Sequence, residues 1–214
     1  MSLTPLFPLQ LVLFPGDKLP LHIFEPRYRE MIRECLDREI PFGVVSYIDN
    51  KVSRVGCLAY IEKVENAYED GKFDIVCRGG ERFISSSYNS GRAFLQASVT
   101  RFSDVPDPDE TVRKLMDEAL SLFNELSEAA NLKFENPALP TPANSFGFGH
   151  LIGFDLAQKQ NLLEIKTEAE RLRYIIEQIQ RSLPKLKSFK DVRELIRSNG
   201  HFREFPPINF NIDI

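Results

Sequence analysis

Apolar positions in the first hundred residues follow the two-residue period of β-strands. Residues 55–65 and 92–102 each place apolar side chains on one face and polar side chains on the other. Residues 73–77 and 82–85 predict two further strands, and the turn signal at residues 69–72 precedes the first of them. Short strands with turns between them predict a barrel or a closed sheet.

One helix is predicted to interrupt this β-rich region. Pro26 suits the first position of a helix, where the N–H that proline lacks would have no partner. After it, Tyr28, Met31, Ile32 and Cys35 recur at helical spacing, and charged residues occupy the other positions. The pattern predicts an amphipathic helix with one buried side.

Beyond residue 104 the apolar period becomes that of helices. Asp107 and Pro108 predict the N-cap and the first position of one helix, and Thr167 with Glu170 predicts a capping box at the start of another. We therefore predict an α+β protein of three parts. They are a β-rich subdomain over residues 1–104, a helical subdomain over residues 105–200, and a C-terminal tail over residues 201–214.

The tail alternates apolar and polar side chains and predicts a strand. Its apolar positions are Ile208, Phe210, Ile212 and Ile214. A lone strand is not stable, so this segment is expected to join a sheet. The chain's own β-rich subdomain is the favoured partner, since tails are more often tied down within their own chain. Another protein chain is the alternative, which would make the tail a site of strand addition or self-association.

Composition narrows the classes of function. The net charge of −4 argues against nucleic acid, whose binders carry a basic footprint. Cys35, Cys57 and Cys77 form no C-x-x-C pair and lie at no ligand spacing from a histidine, so we expect no metal and no cofactor. The N-terminus lacks a basic segment, and no apolar run approaches a membrane span. We expect a soluble cytoplasmic protein with reduced thiols.

Four segments in order carry a family resemblance. They are PLFPLQLVLFPGDKLPLHIFEPRYREMI at residues 5–32, VGCLAYIEKVE at residues 55–65, GKFDIVCRGGERF at residues 71–83 and LAQKQNLLEIKTEAERLRYI at residues 156–175. The chain resembles the Lon protease N-terminal (substrate-binding) domain family over most of residues 4–184. The resemblance implies a PUA-like pseudo-barrel followed by an α-helical bundle, a fold that also occurs alone in short bacterial proteins.

What the resemblance implies for function is binding without catalysis. In the full protease this region is implicated in substrate recognition and assembly. The sequence contains neither the G-x-x-x-x-G-K-[ST] loop of the Lon ATPase nor the domain that carries the Ser–Lys peptidase dyad. We therefore expect a non-catalytic module that binds proteins or unfolded polypeptide, in an adaptor or chaperone-like role. An RNA-binding PUA-like module and a hydrolase with spatially assembled residues stay as alternatives.

Glu25, Arg27 and Tyr28 form a charged group with two interpretations. Acid and base groups in a pocket can transfer protons. Arginine is permanently charged, however, and suits the fastening of a helix start to nearby oxygens. We favour the structural role for all three residues and expect Tyr28 to pack in the core.

Gly79 and Gly80, next to Arg82, also have two interpretations. A glycine-rich segment can bind phosphate, but this one is not followed by the helix whose N–H groups would hold it. We therefore predict a turn or a bulge between strands, with the three residues in a structural role.

Phe146 and Phe148 lie among glycines and are candidates for a partner-binding surface, together with the apolar positions of the tail. The alternative is that both rings plug the helical bundle. We favour the alternative, because phenylalanine is most often buried.

Overall fold

The computed structural model describes residues 3–129 and 144–186. The described chain forms two compact units, one of residues 3–103 and one that begins at Asp104. The first contains a sheet and one helix, and the second contains helices. The predicted α+β class is therefore confirmed.

The first unit has six strands and a helix between the second and third strands. In chain order these are β1 (Thr4–Leu9), β2 (Lys18–Ile23), α1 (Pro26–Arg38), β3 (Phe42–Ile48), β4 (Lys51–Ala67), β5 (Phe73–Asn89) and β6 (Gln96–Arg101).

Strand β5 closes the sheet into a ring. One of its edges pairs with β4. Its other edge pairs first with β2, over residues 73–78, and then with β6, over residues 83–89. Since β4, β3, β1 and β6 are neighbours in that order, the ring runs from β5 back to β5. Five strands thus form the predicted pseudo-barrel, and β2 extends the sheet outside the ring.

The single strand β5 replaces the two strands predicted at residues 73–77 and 82–85. Gly79 and Gly80 do not form a turn between strands but lie inside β5, at a bulge. Across it, Cys57 of β4 faces Arg82 while Ala59 faces Gly79, so β5 holds one extra residue. A strand this long can continue because β2 and β6 share its second edge.

Helix α1 packs on the sheet through the side that the sequence predicted. Tyr28, Met31, Ile32 and Cys35 are buried there in one cluster with side chains of the sheet. The helix begins at Pro26 and ends at Arg38, where Glu39 adopts a left-handed conformation. The prediction of this helix from its apolar spacing is confirmed.

The second unit contains four helical segments within its described residues, and residues of α2 pack against α4. The segments are α2 (Asp109–Ala129), a 3-10 helix (Ser145–Phe148), α3 (Leu156–Glu164) and α4 (Glu168–Leu186). None of the helices in the described residues is long and apolar enough to span a membrane.

Capping in the second unit differs in part from the prediction. Thr167 Oγ1 accepts a hydrogen bond from Glu170 N at 3.1 Å, as expected for the cap of α4. Asp107, predicted to cap α2, instead accepts from the backbone N–H of Ala169 at 2.8 Å. It therefore supports the start of α4, because its side chain satisfies a donor that the first helical turn leaves without a partner.

Arg171 of α4 is the largest side chain that is almost fully buried, at 2% exposure. Its guanidinium donates to Asp104 at 2.5 and 3.0 Å, to Glu168 at 2.6 Å and to Ser145 at 2.8 Å. It also lies over the Phe146 ring at 4.5 Å. Burial alone would lower the pKa of Arg171, but the acidic partners more than offset this, and the pKa is raised.

Substitution of Gly79 by Ala is expected to destabilise the protein by about 2 kcal/mol. A Cβ at this position would lie 2.1 Å from the backbone oxygen of Phe14, which cannot move away as a flexible side chain can. Urea unfolding measures the change. Gly91→Ala is the matched control, because its nearest neighbour is the Asn89 side chain at 3.0 Å, and it should stay within about 0.5 kcal/mol of wild type.

Arg171→Met is expected to destabilise the second unit by about 3 kcal/mol, because Glu168 and Ser145 lose their buried partner. Hydrogen exchange of the α4 amides measures this locally. Arg173→Met removes an exposed arginine from the same helix and should leave exchange unchanged. Equal protection in the two variants would contradict a stabilising role for Arg171.

Candidate functional site

Three exposed rings lie together where β2 leads into α1 and where β4 turns into β5. We call His22, Phe24 and Tyr68 the aromatic cluster. The His22 ring stacks on Phe24, with centroids 5.9 Å apart, and meets Tyr68 edge-on at 6.1 Å. Phe24 is 39% and Tyr68 45% exposed. Adjacent exposed rings are typical of contact surfaces, where aromatic residues are enriched.

Asp74 of β5 holds the aromatic cluster in place. Its two oxygens accept from His22 Nδ1 at 2.6 Å, from Tyr68 OH at 2.5 Å and from Asn66 Nδ2 at 3.0 Å. The register of β2 on β5 places His22 directly opposite Asp74. The hydrogen bonds from Tyr68, His22 and Asn66 together lower the pKa of Asp74 to about 2, so the carboxylate is ionised and only accepts.

The sheet edges of β2 and β4 disfavour the addition of a strand from another chain. In the described chain β2 is the last strand of the sheet, and it contains Pro20, which has no N–H to donate. Beyond Ala59 the outer edge of β4 has no partner strand in the described residues, and β4 is irregular after Ile61 and after Val64. Prolines and bulges at edges disfavour pairing with another chain. The geometry therefore favours side chains over edges as the contact surface.

A groove of about 670 Å³ is lined in part by close sequence neighbours of the aromatic cluster, Pro26 and Glu69. Its lining comes from the exposed side of α1, from the hairpin turn at residues 69–71 and from Arg92. We call it the charged groove, because nine of its eleven lining residues are charged. They are Arg29, Glu30, Arg33, Glu34, Asp37, Arg38, Glu69, Asp70 and Arg92.

One half of the charged groove is an ion-pair network. Arg92 donates to Glu30 at 2.7 Å and also to Glu34, and Arg38 donates to Glu34 at 2.6 Å. Burial would raise the pKa of Glu34, but the hydrogen bonds from Arg92 and Arg38 outweigh it, and the pKa is lowered. The cations of this half are therefore neutralised within the groove.

The half that faces the hairpin is different. Arg29 and Arg33 lie one turn apart on α1, and both guanidinium groups approach Gly71, each 3.3 Å from where its Cβ would be. Arg29 donates to the backbone oxygen of Asp70, and Arg33 lies 5.7 Å from the Phe73 ring. Neither guanidinium forms an ion pair with any residue in the described ranges.

The charged group at the start of α1 makes contacts of a structural kind. Arg27 donates to Glu25 at 2.9 Å and lies over the Tyr28 ring at 4.6 Å. That ring is buried and stacks on Phe7 at 4.0 Å. Burial raises the pKa of Tyr28 to about 12, so the phenol stays protonated at neutral pH.

The glycine segment also lies in the interior of the sheet. Gly79 exchanges backbone hydrogen bonds with Gly16 and Asp17, at 2.8 and 2.9 Å. The Arg82 side chain is 4% exposed and lies over the Phe102 ring at 4.6 Å. These contacts are those of a bulge and its packing, the interpretation favoured from the sequence.

The partner-binding residues proposed from the sequence divide into two sets. Phe146 is 6% exposed and Phe148 is fully buried against Phe123, with ring centroids 5.8 Å apart. Both rings therefore sit in the interior of the second unit, the alternative that the sequence favoured, and neither offers an exposed surface. The tail positions Ile208, Phe210, Ile212 and Ile214 lie outside the described residues.

Sequence reasoning did not identify the aromatic cluster or the unpaired arginines. The alternation of His22 with Leu21 and Ile23 is visible in the sequence, and the turn at residues 69–72 was predicted. Neither signal shows that His22 faces Asp74, because strand register depends on the whole sheet. The i, i+4 spacing of Arg29 and Arg33 was visible, but their approach to Gly71 was not.

The aromatic cluster contains one element of a hydrolytic site, the alternative function raised by the sequence. A carboxylate that orients a histidine, as Asp74 orients His22, is part of many hydrolytic sites. The described contacts of the His22 ring are with Asp74, Phe24 and Tyr68, and no serine, threonine or cysteine among the described residues hydrogen-bonds to it. No group of three or more His, Cys, Asp or Glu side chains suited to a metal occurs in the described part of the chain.

Comparisons with known proteins agree on one family. The model of the ATP-dependent protease La (LON) substrate-binding domain matches residues 4–181. The Lon protease of Cytophaga hutchinsonii is 22% identical over 216 residues, which cover 92% of this chain and 26% of that protease. The chain thus spans about a quarter of that relative's length.

Two solved structures share the fold. One is a Lon N-terminal domain protein from Xanthomonas campestris, with a TM-score of 0.61 and 24% identity, over 83% of this chain and 98% of that one. The other is the N-terminal domain of the Mycobacterium avium complex Lon protease, with a TM-score of 0.62 and 22% identity, over 84% and 98%.

Tyr68→Phe is expected to raise the pKa of Asp74 from about 2 toward its ordinary value of 3.8, because Tyr68 contributes most to the lowering. The hydrogen bonds favour the ionised carboxylate, so their stabilising contribution is present above about pH 4 and is lost as pH falls toward 2. NMR titration of the carboxyl carbon measures the midpoint. Tyr60→Phe, which removes a bond to Glu81 instead, should leave that midpoint in place.

Proposed function

We propose that this chain, which belongs to the family of Lon (ATP-dependent protease La) substrate-binding domains, binds segments of protein substrates. The observation that carries the proposal is the family match, which extends through both units. The aromatic cluster and the charged groove are the surfaces that support it, because together they offer exposed rings beside charged groups.

The aromatic cluster suits polypeptide because its rings are already fixed. The ordering of a flexible side chain on binding costs about 0.5–1.5 kcal/mol. Asp74 holds His22 and Tyr68 by short hydrogen bonds before any partner arrives, and His22 in turn supports Phe24. An apolar side chain of a substrate can therefore pack on these rings with little further loss of entropy.

The proposed role is binding without catalysis of its own. The family match concerns the substrate-binding domain, and this sequence contains no phosphate-binding loop of the ATPase type. An adaptor or chaperone-like role in the cytoplasm is the form of binding that we propose. Self-association through residues 201–214 stays a prediction.

Phe24→Ser is expected to weaken binding of an unfolded polypeptide about tenfold, since removal of an aromatic anchor commonly costs more than 1 kcal/mol. The probe is fluorescein-labelled lactalbumin that has been reduced and carboxymethylated, and fluorescence anisotropy measures its affinity for the full chain. Suppression of aggregation of a heat-destabilised protein gives a second readout.

Val105→Ser is the matched control, because Val105 is an exposed apolar side chain of the second unit, at 53% exposure. It should bind the probe as tightly as wild type. If the wild-type chain neither binds the probe nor affects aggregation, the proposal is contradicted. Equal losses in both variants would move the contact away from the aromatic cluster.

A further inference from the structure

The charged groove holds two arginines, Arg29 and Arg33, that form no salt bridge within the described residues. We infer that Arg29 and Arg33 form a carboxylate-binding site, which selects substrate segments that carry an acidic side chain near an apolar one. This inference rests on the proposed function and names its substrate class.

The two arginines differ from the other cations of the groove. Arg38 forms an ion pair with Glu34, and Arg92 forms ion pairs with Glu30 and Glu34. Arg33 lies by the Phe73 ring, and Arg29 donates to the backbone oxygen of Asp70 and attracts its carboxylate without a hydrogen bond to it. Neither guanidinium is therefore hydrogen-bonded to a carboxylate within the described residues. The arginine N–H donors that have no bonded carboxylate are therefore concentrated beside Gly71.

Like charges at i and i+4 of a helix repel, at a cost of about 0.2–0.5 kcal/mol. Here Gly71 has no side chain, so both guanidinium groups can lie close to its backbone and therefore close to each other. A carboxylate placed between two guanidinium groups removes the repulsion and accepts charge-assisted hydrogen bonds from both. The free energy gained on binding is thus largest for a ligand with a single compact negative charge.

The same groove disfavours nucleic acid. Its lining contains five acidic residues against four arginines. A phosphate backbone carries a charge at every nucleotide and would meet those carboxylates, whereas one carboxylate between Arg29 and Arg33 avoids them. The net charge of the chain, −4, acts in the same direction.

The aromatic cluster defines the rest of the substrate class. Phe24 precedes Pro26 of the groove by two residues, and Tyr68 precedes Glu69 and Asp70 directly, so cluster and groove are continuous along the chain. One extended segment that places an apolar side chain on the rings therefore brings its neighbouring residues to the arginines.

The test compares short fluorescein-labelled peptides with the full chain by fluorescence anisotropy. All contain the same phenylalanines in a glycine-serine background and differ only in whether one neighbouring position holds Glu, Gln or Lys. The Glu peptide is expected to bind about tenfold more tightly than the Gln peptide, and the Lys peptide most weakly. Higher salt should reduce the preference for Glu.

Arg33→Gln is expected to abolish the preference for the Glu peptide without changing binding of the Gln peptide. Arg33→Lys should restore it in part, because the charge returns without the planar fork. Arg173→Gln is the matched control: it removes the charge of an exposed arginine of the second unit, which does not line the groove, and should keep the preference.

The outcomes separate this inference from the proposed function. Equal binding of the Glu and Gln peptides by wild type overturns the inference and leaves the proposed function standing, whereas failure to bind any peptide or the unfolded lactalbumin overturns both. Arg33-dependent binding of an oligouridylate with no preference for Glu overturns it in favour of RNA. If a variant unfolds, Nε–Hε resonances of wild type decide, because no shift for Arg29 and Arg33 on addition of the Glu peptide also overturns it.

Discussion

The pairing of β5 along both of its edges is the constraint on which the first unit depends. One edge is taken by β4, and the other is shared between β2 and β6, so that a single strand closes the ring and carries the sheet beyond it. The bulge at Gly79 and Gly80 lies at the change from one partner to the other. A side chain at Gly79 would collide with the backbone next to Phe14, which is why glycine is required there.

The surface proposed for binding follows from that arrangement. Because β2 pairs with the first half of β5, His22 stands opposite Asp74, and the carboxylate fixes the ring. Because the hairpin turn lies beside α1, Gly71 meets Arg29 and Arg33. The sheet and the helix are regular hydrogen-bonded elements, and the side chains proposed to face a partner are attached at their ends. Rigid support of this kind lowers the entropy lost on binding.

The second unit shows how a buried charge can organise helices. Arg171 is surrounded by two carboxylates, a hydroxyl and an aromatic ring, so its charge is compensated on every side that the described contacts define. Its partners come from three separate segments of the chain, around Asp104, Ser145 and Glu168. A charge with partners so dispersed ties those segments to α4, and one partner, Ser145, begins the 3-10 helix that buries Phe146 and Phe148.

The sequence by itself determined the class of the protein, the helix from Pro26, the turn before β5 and the family. Each depends on local period, on turn chemistry or on ordered motifs, which neighbouring residues specify without the rest of the fold. Only the tertiary structure decided that β5 is one strand, that His22 faces Asp74 and that Arg29 and Arg33 converge on Gly71. These facts depend on strand register and on the approach of distant elements, and periodicity reports the face on which a residue lies but not its partner across the sheet.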